Sequence, residues 1–198
     1  MKTLLTAIGF SLFISISYSQ SITLSEFISY RKLNDKQFEE KLEKTNLELD
    51  DVEDISGFIT RTTFKNVDVT NATNDLILVN HLKNDKSERR NRVSFQFKNE
   101  KILDKYFSEM KSLNFKKVLY KVIDRQMINV YSDGFQTLEV IVSKNFTVND
   151  INVYYTIAIY DYVEYTAQFA EENTKYKVQG NNELDKMNNT FGLYTSLK

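Results

Sequence analysis

Residues 151–162 read INVYYTIAIYDY and form the longest candidate strand in the chain. Side chains alternate between the two faces of a strand, so the pattern divides this stretch into two sets. The apolar set consists of Val153, Tyr155, Ile157 and Ile159. It predicts a strand that buries one face in a core, and therefore a fold built around a β-sheet.

The opposite face of the same stretch is rich in tyrosine. It carries Tyr154, Thr156, Ala158, Tyr160 and Tyr162. Tyrosine provides a large amphipathic contact area with few rotatable bonds, and for that reason protein interfaces are enriched in it. Tyrosine is also common in half-exposed strands. Two interpretations stay open: an ordinary sheet surface or packing between lobes, and a recognition face that uses Tyr154, Tyr160 and Tyr162.

Several shorter stretches upstream also alternate with a period of two. They are Phe58–Phe64, Leu76–Leu82, Val93–Phe97, Met127–Tyr131 and Phe135–Val142. Ser132-Asp133-Gly134 separates the last two, and a short segment of this composition is typical of a hairpin turn. These stretches predict antiparallel meanders.

Helical spacing precedes each group of strands. Thr23-Leu24-Ser25-Glu26 has the pattern of a capping box at a helix start. Asn34-Asp35 is a plausible second start, before Phe38 and Leu42. A later apolar stripe consists of Ile102, Leu103, Tyr106, Phe107, Met110 and Leu113.

Two of these helical segments match at an offset of 68 residues. Phe38-x3-Leu42-x3-Asn46-Leu47 corresponds to Tyr106-x3-Met110-x3-Asn114-Phe115. Apolar residues three and four apart hold a helix on a sheet, and Asn followed by Phe or Leu suits the exit into a strand. We therefore expect an α+β fold of duplicated helix-plus-antiparallel-meander units, with about three or four strands each and the helices packed on one face.

The pattern divides the chain into a first lobe at residues 20–98 and a second lobe at residues 99–163. Residues 164–198 form a polar extension in which Asn, Glu and Lys dominate. At the junction of the second lobe and this extension, Val163–Ala170 either extends the last strand or forms a short helix. Further on, Gly180–Thr190 is predicted to be a loop.

Three features of the sequence carry a resemblance to known proteins. The chain resembles a group of uncharacterised bacterial secreted proteins built from tandem helix-and-meander units. The shared features are a signal peptide that ends at Ser19-Gln20, the helical opening at Leu24–Leu42 and the Asn114-Phe115 helix exit. The architecture is also similar, more distantly, to the two-repeat β-lactamase-inhibitor-like fold. The resemblance covers roughly residues 22–162 and implies the fold and a non-catalytic role. It supplies no functional residue.

The N-terminus has the features of a secretory signal peptide at residues 1–19. Lys2 precedes an uncharged apolar run, Leu4–Ile16, and Ser17-Tyr18-Ser19 places small residues where a signal peptidase cleaves. The run is too short for a membrane-spanning helix, which needs about 20 residues. An uncleaved anchor is the alternative. We expect an exported protein, periplasmic or extracellular, with no transmembrane segment after cleavage.

The composition excludes several kinds of site. The chain has 198 residues, no cysteine and one histidine, His81. It therefore has no disulfide, thiolate nucleophile or iron–sulfur cluster, and no multi-histidine metal site. The net charge of -1 argues against a nucleic-acid partner. We expect no cofactor and no metal. Alternation places His81 in the Leu76–Leu82 strand, on the face shared by Ile77 and Val79 or at the strand end, and a strand-end or surface histidine is the expectation.

Two charged clusters have both a structural and a functional interpretation. The acidic cluster comprises Glu48, Asp50, Asp51, Glu53 and Asp54, and the basic cluster comprises Lys83, Lys86, Arg89, Arg90 and Arg92. The acidic residues lack the order of a calcium loop and are expected in a solvated connecting segment, with adventitious cation binding as the alternative. The basic residues are expected in a solvated hairpin, with a patch for an anionic partner as the alternative.

No catalytic residue is predicted. The leading hypothesis is an exported, non-enzymatic binding or interaction module whose partner is unknown, with a protein or an envelope component as the candidates. Its competitors are a hydrolase that uses carboxylates or a Ser/Lys pair, and a passive envelope protein.

Overall fold

A computed structural model describes residues 22–43, 45, 47–66, 76–124, 126–146 and 151–170. The predicted signal peptide, Asn46 and the predicted loop at Gly180–Thr190 lie outside the described residues. The helices are α1 (Leu24–Tyr30), α2 (Asp35–Leu42), α3 (Glu100–Ser112) and α4 (Tyr162–Gln168). The strands are β1 (Leu47–Asp54), β2 (Ile59–Asn66), β3 (Leu78–Asn84), β4 (Arg92–Phe97), β5 (Lys116–Ile123), β6 (Gln126–Ser132), β7 (Gln136–Phe146) and β8 (Ile151–Asp161).

The eight strands form one sheet in the order β1-β2-β3-β4-β8-β7-β6-β5. Every neighbouring pair is antiparallel, and β4 pairs with β8 at the centre, where Phe95 lies opposite Ile157. The prediction of an α+β fold with antiparallel strands is confirmed. The division into two lobes stays a prediction.

The predicted helix starts are confirmed by their capping hydrogen bonds. The Thr23 hydroxyl accepts from the Glu26 backbone N–H at 3.2 Å, and the Glu26 carboxylate accepts from the Thr23 N–H at 2.7 Å. Asn34 and Gln37 form the equivalent box at the start of α2. Asn114 follows α3 in the left-handed conformation with φ 61°, which asparagine tolerates better than most residues.

The main core lies between one face of the sheet and helices α1, α2 and α3. The Phe27 ring of α1 stacks on Phe95 of β4 with ring centres 3.7 Å apart, and Tyr106 of α3 contacts the same phenylalanine at 5.1 Å. The predicted buried face of β8 is confirmed, because Tyr155, Ile157 and Ile159 are all buried in this core.

The opposite face of the sheet carries α4. Tyr165 of this helix joins a second apolar cluster with Leu119, Ile128 and Val130. Of the two alternatives for Val163–Ala170, the structure has the short helix. The alternation predicts Tyr162 on the tyrosine-rich face of β8, but the strand ends at Asp161, so this prediction is wrong. Asp161 instead caps α4, because its side chain accepts from the Val163 N–H at 3.0 Å.

The prediction of a connecting segment at the acidic cluster is wrong. The segment forms β1, an edge strand that pairs with β2 from Leu47 opposite Asn66 to Asp54 opposite Thr60. All of its side chains after Leu47 are exposed. An edge strand keeps its carboxylates hydrated while its backbone joins the ladder, so the charges do not prevent strand formation.

The expectation of a strand-end or surface position for His81 is also wrong, whereas its placement on the face of Val79 is confirmed. His81 lies in the middle of β3, buried at 1% exposure, with its ring parallel to Phe38 at 4.3 Å. The alternation that buries Val79 buries His81 as well, and the aromatic face of Phe38 gives the imidazole an apolar partner.

Candidate functional site

A cleft of about 370 Å³ opens on the α4 side of the sheet. Its floor includes Leu82, Arg92 and Tyr160. One wall is the short 3₁₀ turn Glu88–Arg90 that connects β3 with β4, and the other wall is α4. The volume falls within the range of small-molecule sites, which is about 300–1,000 Å³.

The wall formed by the 3₁₀ turn is fixed by two buried asparagines. The side-chain oxygen of Asn91 accepts from the Asn84 N–H at 2.8 Å, and the side-chain oxygen of Asn84 accepts from the N–H groups of Lys86 and Ser87 at 3.0 and 3.1 Å. These hydrogen bonds close the turn. They place Arg89 and Arg90 at the lip of the cleft.

The wall formed by α4 is fixed by a buried carboxylate beneath it. Glu139 Oε1 accepts from the Tyr165 hydroxyl at 2.9 Å and lies 3.0 Å from Lys121 Nζ, while Oε2 accepts from the Tyr160 hydroxyl at 2.9 Å. Glu139 and Lys121 are both buried, at 5% and 3% exposure. A buried ion pair needs such additional hydrogen bonds to offset its desolvation. The bond from Tyr165 anchors α4 to the sheet, whereas the bond from Tyr160 comes from β8 itself.

Arg31 joins the two walls. Its Nη1 donates to the Arg89 carbonyl at 2.9 Å, and its Nη2 lies 3.6 Å from Asp161 Oδ2 at the start of α4. Burial lowers the pKa of the Arg31 guanidinium, and the charges of Asp161 and Glu88 oppose that shift. The buried side chain of Arg31, at the end of α1, thus holds the two walls of the cleft at a fixed distance.

The charges that line the cleft favour an anion. Arg89, Arg90 and Arg92 contribute three positive charges against two negative charges from Asp161 and Glu164, which leaves a net +1. Arg90 Nε donates to Glu164 at 3.2 Å and Arg92 donates to the Gln168 side-chain oxygen. The acceptors on α4 therefore occupy the positions at which a carboxylate or phosphate oxygen of a ligand can bind.

Tyr160 is the one predicted binding residue that lines the cleft. The Arg92 guanidinium lies 5.1 Å from the centre of its ring, within cation–π distance. Tyr154 lies elsewhere on β8, half-buried, with Lys98 Nζ 5.0 Å from its ring. Tyr162 is exposed at the start of α4, and its N–H donates to the Phe135 carbonyl. The structure does not bring the three tyrosines together in one surface.

The predicted basic cluster divides between three environments, one of which is the Phe58 ring, where Lys86 Nζ lies 3.8 Å from the ring centre. Arg89, Arg90 and Arg92 line the cleft, whereas Lys83 pairs with Asp35 and Asp85 at 3.5 and 3.2 Å. Sequence reasoning missed three further residues, which come from the region after α1 and from the last helix: Arg31, Glu164 and Gln168. Asp161 before Val163–Ala170 is a helix-start signal that could have predicted α4 itself, although not its contact with the basic cluster.

His81 has no access to the cleft, because its side chain lies on the other face of the sheet among α2 residues. Burial lowers its pKa to about 4, with Asp35 opposing and Lys83 adding to the shift. Among the described residues, no group of three or more His, Asp or Glu side chains is arranged to hold a metal ion. The arrangement in the cleft is suited to binding an anion by charge and hydrogen bonds.

None of the helices in the described ranges is long and apolar enough to cross a membrane. Comparison with protein-family models, curated proteins and solved structures gave no match to the chain.

Proposed function

We propose that this chain is an exported, non-enzymatic binding module whose ligand is a small anion held in the cleft between the 3₁₀ turn Glu88–Arg90 and α4. The observation that carries the proposal is the convergence of Arg89, Arg90 and Arg92 on one cleft whose walls are joined by buried Arg31. Fixed walls reduce the conformational entropy that binding costs, so the arginines are preorganised for a ligand.

The ligand class follows from the chemistry of the guanidinium group. Arginine presents donors in a planar fork that matches a carboxylate or a phosphate with two parallel hydrogen bonds. Tyr160 adds an aromatic surface to the floor. A small molecule that bears a carboxylate or a phosphate can bind the arginines through its anionic group and contact the Tyr160 ring with the rest of the molecule.

Glu164 and Gln168 compete with an incoming anion for the donors of Arg90 and Arg92. Each accepts from an arginine of the cleft, so an incoming anion has to exchange with a side chain that already holds the donor. Glu164 also repels an anion by its own charge. The exchange favours ligands with two or more anionic oxygens, since a single hydrogen bond gained for one lost gives little net free energy.

Export is part of the proposal and is supported by the short apolar run and small-residue exit at residues 1–19. We also propose that the chain consists of two duplicated units related to the helix-and-meander proteins described above. The order of elements supports this, because helices precede four strands in each half and the strand order is symmetric about the β4–β8 pair.

The cleft can be tested by titrating citrate and inorganic phosphate into the protein by calorimetry at low ionic strength. We expect the double variant Arg90→Gln/Arg92→Gln to bind each probe at least about tenfold more weakly, because a hydrogen bond to a charged group contributes about 1.5–3 kcal/mol. Arg61→Gln is the matched control, since Arg61 is an exposed arginine of β2 that pairs with Glu53 and does not line the cleft.

The proposal is wrong if neither anion binds, or if the double variant binds as tightly as Arg61→Gln. A circular dichroism melt of each variant checks that the fold is retained. Both substituted arginines have exposed or half-exposed side chains, so we expect little change in stability.

A further inference from the structure

The two edge strands of the sheet carry opposite charges. β1 contains five acidic residues and no basic one, and all five are exposed. β5, with the sequence KKVLYKVI, contains three lysines and no acidic residue, and Lys116 and Lys117 are exposed. One side of the molecule is therefore an acidic strand edge and the opposite side is a basic strand edge.

The two edges also share features that favour pairing. Each strand has eight residues, and each leaves two apolar side chains exposed. These are Leu49 and Val52 on β1, at 52% and 57% exposure, and Val118 and Val122 on β5, at 52% and 42%. Within the described residues, β1 pairs only with β2 and β5 only with β6, so each has one side of its backbone outside the ladder.

The directions of the strands permit a continuous sheet between copies. The eight strands alternate in direction, so β1 and β5 run in opposite directions. When a second copy is placed beside the first by translation across the strands, its β5 becomes antiparallel to β1 of the first. The same displacement keeps α1, α2 and α3 of both copies on one side of the extended sheet.

We propose that a second copy of this chain docks its basic β5 edge against the acidic β1 edge, head to tail. Strand addition supplies main-chain hydrogen bonds, and the opposite charges select the partner edge. Pairing of β1 with β1, or of β5 with β5, places like charges opposite each other and is disfavoured. Because each copy uses two different surfaces, the contact does not close and it produces linear assemblies.

This inference does not depend on the anion cleft, which lies over the middle of the sheet. Sedimentation velocity of the chain that begins at Gln20, after removal of residues 1–19, tests the head-to-tail association. We expect the mean mass to rise with protein concentration at about 20 mM salt. We expect the association to weaken at about 500 mM salt, where charges are screened beyond a few ångströms.

Charge reversal at one edge gives the decisive comparison. Lys116→Glu/Lys117→Glu makes both edges acidic, and Asp50→Lys/Asp51→Lys makes the β1 edge far less acidic and locally basic. We expect either variant alone to lose association at least about tenfold, and an equimolar mixture of the two to regain it, because complementary edges are present again. The control Lys32→Glu/Lys41→Glu changes the net charge as much as the β5 variant does, but at exposed positions between α1 and α2 and in α2. This control should associate like the unchanged chain.

The inference is overturned if the unchanged chain stays monomeric at about 1 mM, a concentration at which even weak contacts are populated. It is equally overturned if the mixture of edge variants does not recover association, or if the control loses association as fully as the edge variants do.

Discussion

The Nη2 atom of Arg31 lies 3.6 Å from the Oδ2 atom of Asp161, although the two residues are 130 positions apart in the sequence. Both side chains are largely buried, and Asp161 uses its other oxygen to cap α4. The pair therefore connects the start of α4 to the end of α1. Through the hydrogen bond of Arg31 to the Arg89 carbonyl, it also connects α4 to the opposite wall of the cleft.

Replacement of Arg31 by methionine should destabilise the protein and weaken anion binding. It leaves Asp161 partly buried without its cation and the Arg89 carbonyl without its donor, and breaking a buried ion pair costs about 3–5 kcal/mol. Since Asp161 keeps some contact with water, we expect a loss of about 3 kcal/mol in urea denaturation. Lys32→Met, at the exposed neighbouring position, should change stability by less than about 0.5 kcal/mol. Equal effects of the two substitutions would contradict the bridging role.

Replacement of Tyr165 by phenylalanine should loosen α4 without unfolding the rest of the protein. The change removes one hydrogen bond to buried Glu139, worth about 1.5–3 kcal/mol, while keeping the ring in the second cluster. Hydrogen exchange should show faster exchange of α4 amides and unchanged exchange in α3. Tyr162→Phe is the matched control, because the Tyr162 side chain is exposed. Unchanged protection of α4 would refute the anchoring role of the Glu139 network.

Stability should fall with acidification through His81. The unfolded chain binds a proton at this residue below its ordinary pKa of 6.5, whereas burial holds the folded pKa at about 4. Between these values the unfolded state binds more protons, so the free energy of unfolding rises with pH in this window. The stability from this group is full above pH 6.5 and is lost as the pH falls toward 4.

His81→Phe isolates this effect, since phenylalanine keeps a ring against Phe38 and does not titrate. Between about pH 7 and about pH 4.5 the unchanged protein should lose about 2–3 kcal/mol more than the variant in urea denaturation. The carboxylates contribute almost equally to both proteins and cancel in the comparison. A parallel pH dependence of the two proteins would show that the histidine does not titrate with a depressed pKa.

Export should remove the N-terminal apolar run. We expect N-terminal sequencing of the exported form to begin at or near Gln20, because Ser17-Tyr18-Ser19 provides small residues at the positions that a signal peptidase reads. Replacement of both serines by phenylalanine should block this cleavage, since it removes the small residues. A membrane-bound form of the unchanged protein that still carries Leu4–Ile16 would support the anchor instead.

The sequence predicts the centre of the sheet better than its edges. β8 could be predicted with its faces, because Ile157 and Ile159 are buried in the main core while Thr156 on the other face is only half-buried, although Ala158 on that face is buried too. β1 could not, because every residue after Leu47 is exposed and no burial imposes a period of two. The strand depends on backbone pairing with β2, which leaves no signal in side-chain polarity.

The cleft could be predicted only in part. The basic cluster identified Arg89, Arg90 and Arg92, yet their partners lie far along the chain, with Arg90 and Glu164 separated by 74 positions. Spacing within a local window carries no information about such contacts. The alternation in β8 predicts Tyr160 as a binding residue, but its position in the cleft depends on α4 folding back over the strand.

The position of β8 has a consequence for the order of synthesis. β8 is the last of the eight strands along the chain, yet it lies at the centre of the sheet between β4 and β7. Until residue 161 has been made, β4 and β7 each have an open inner edge, and the core residues of β8 are missing from between them. The eight-stranded sheet therefore cannot be completed before β8 has been synthesised, and β4 and β7 remain unjoined until then.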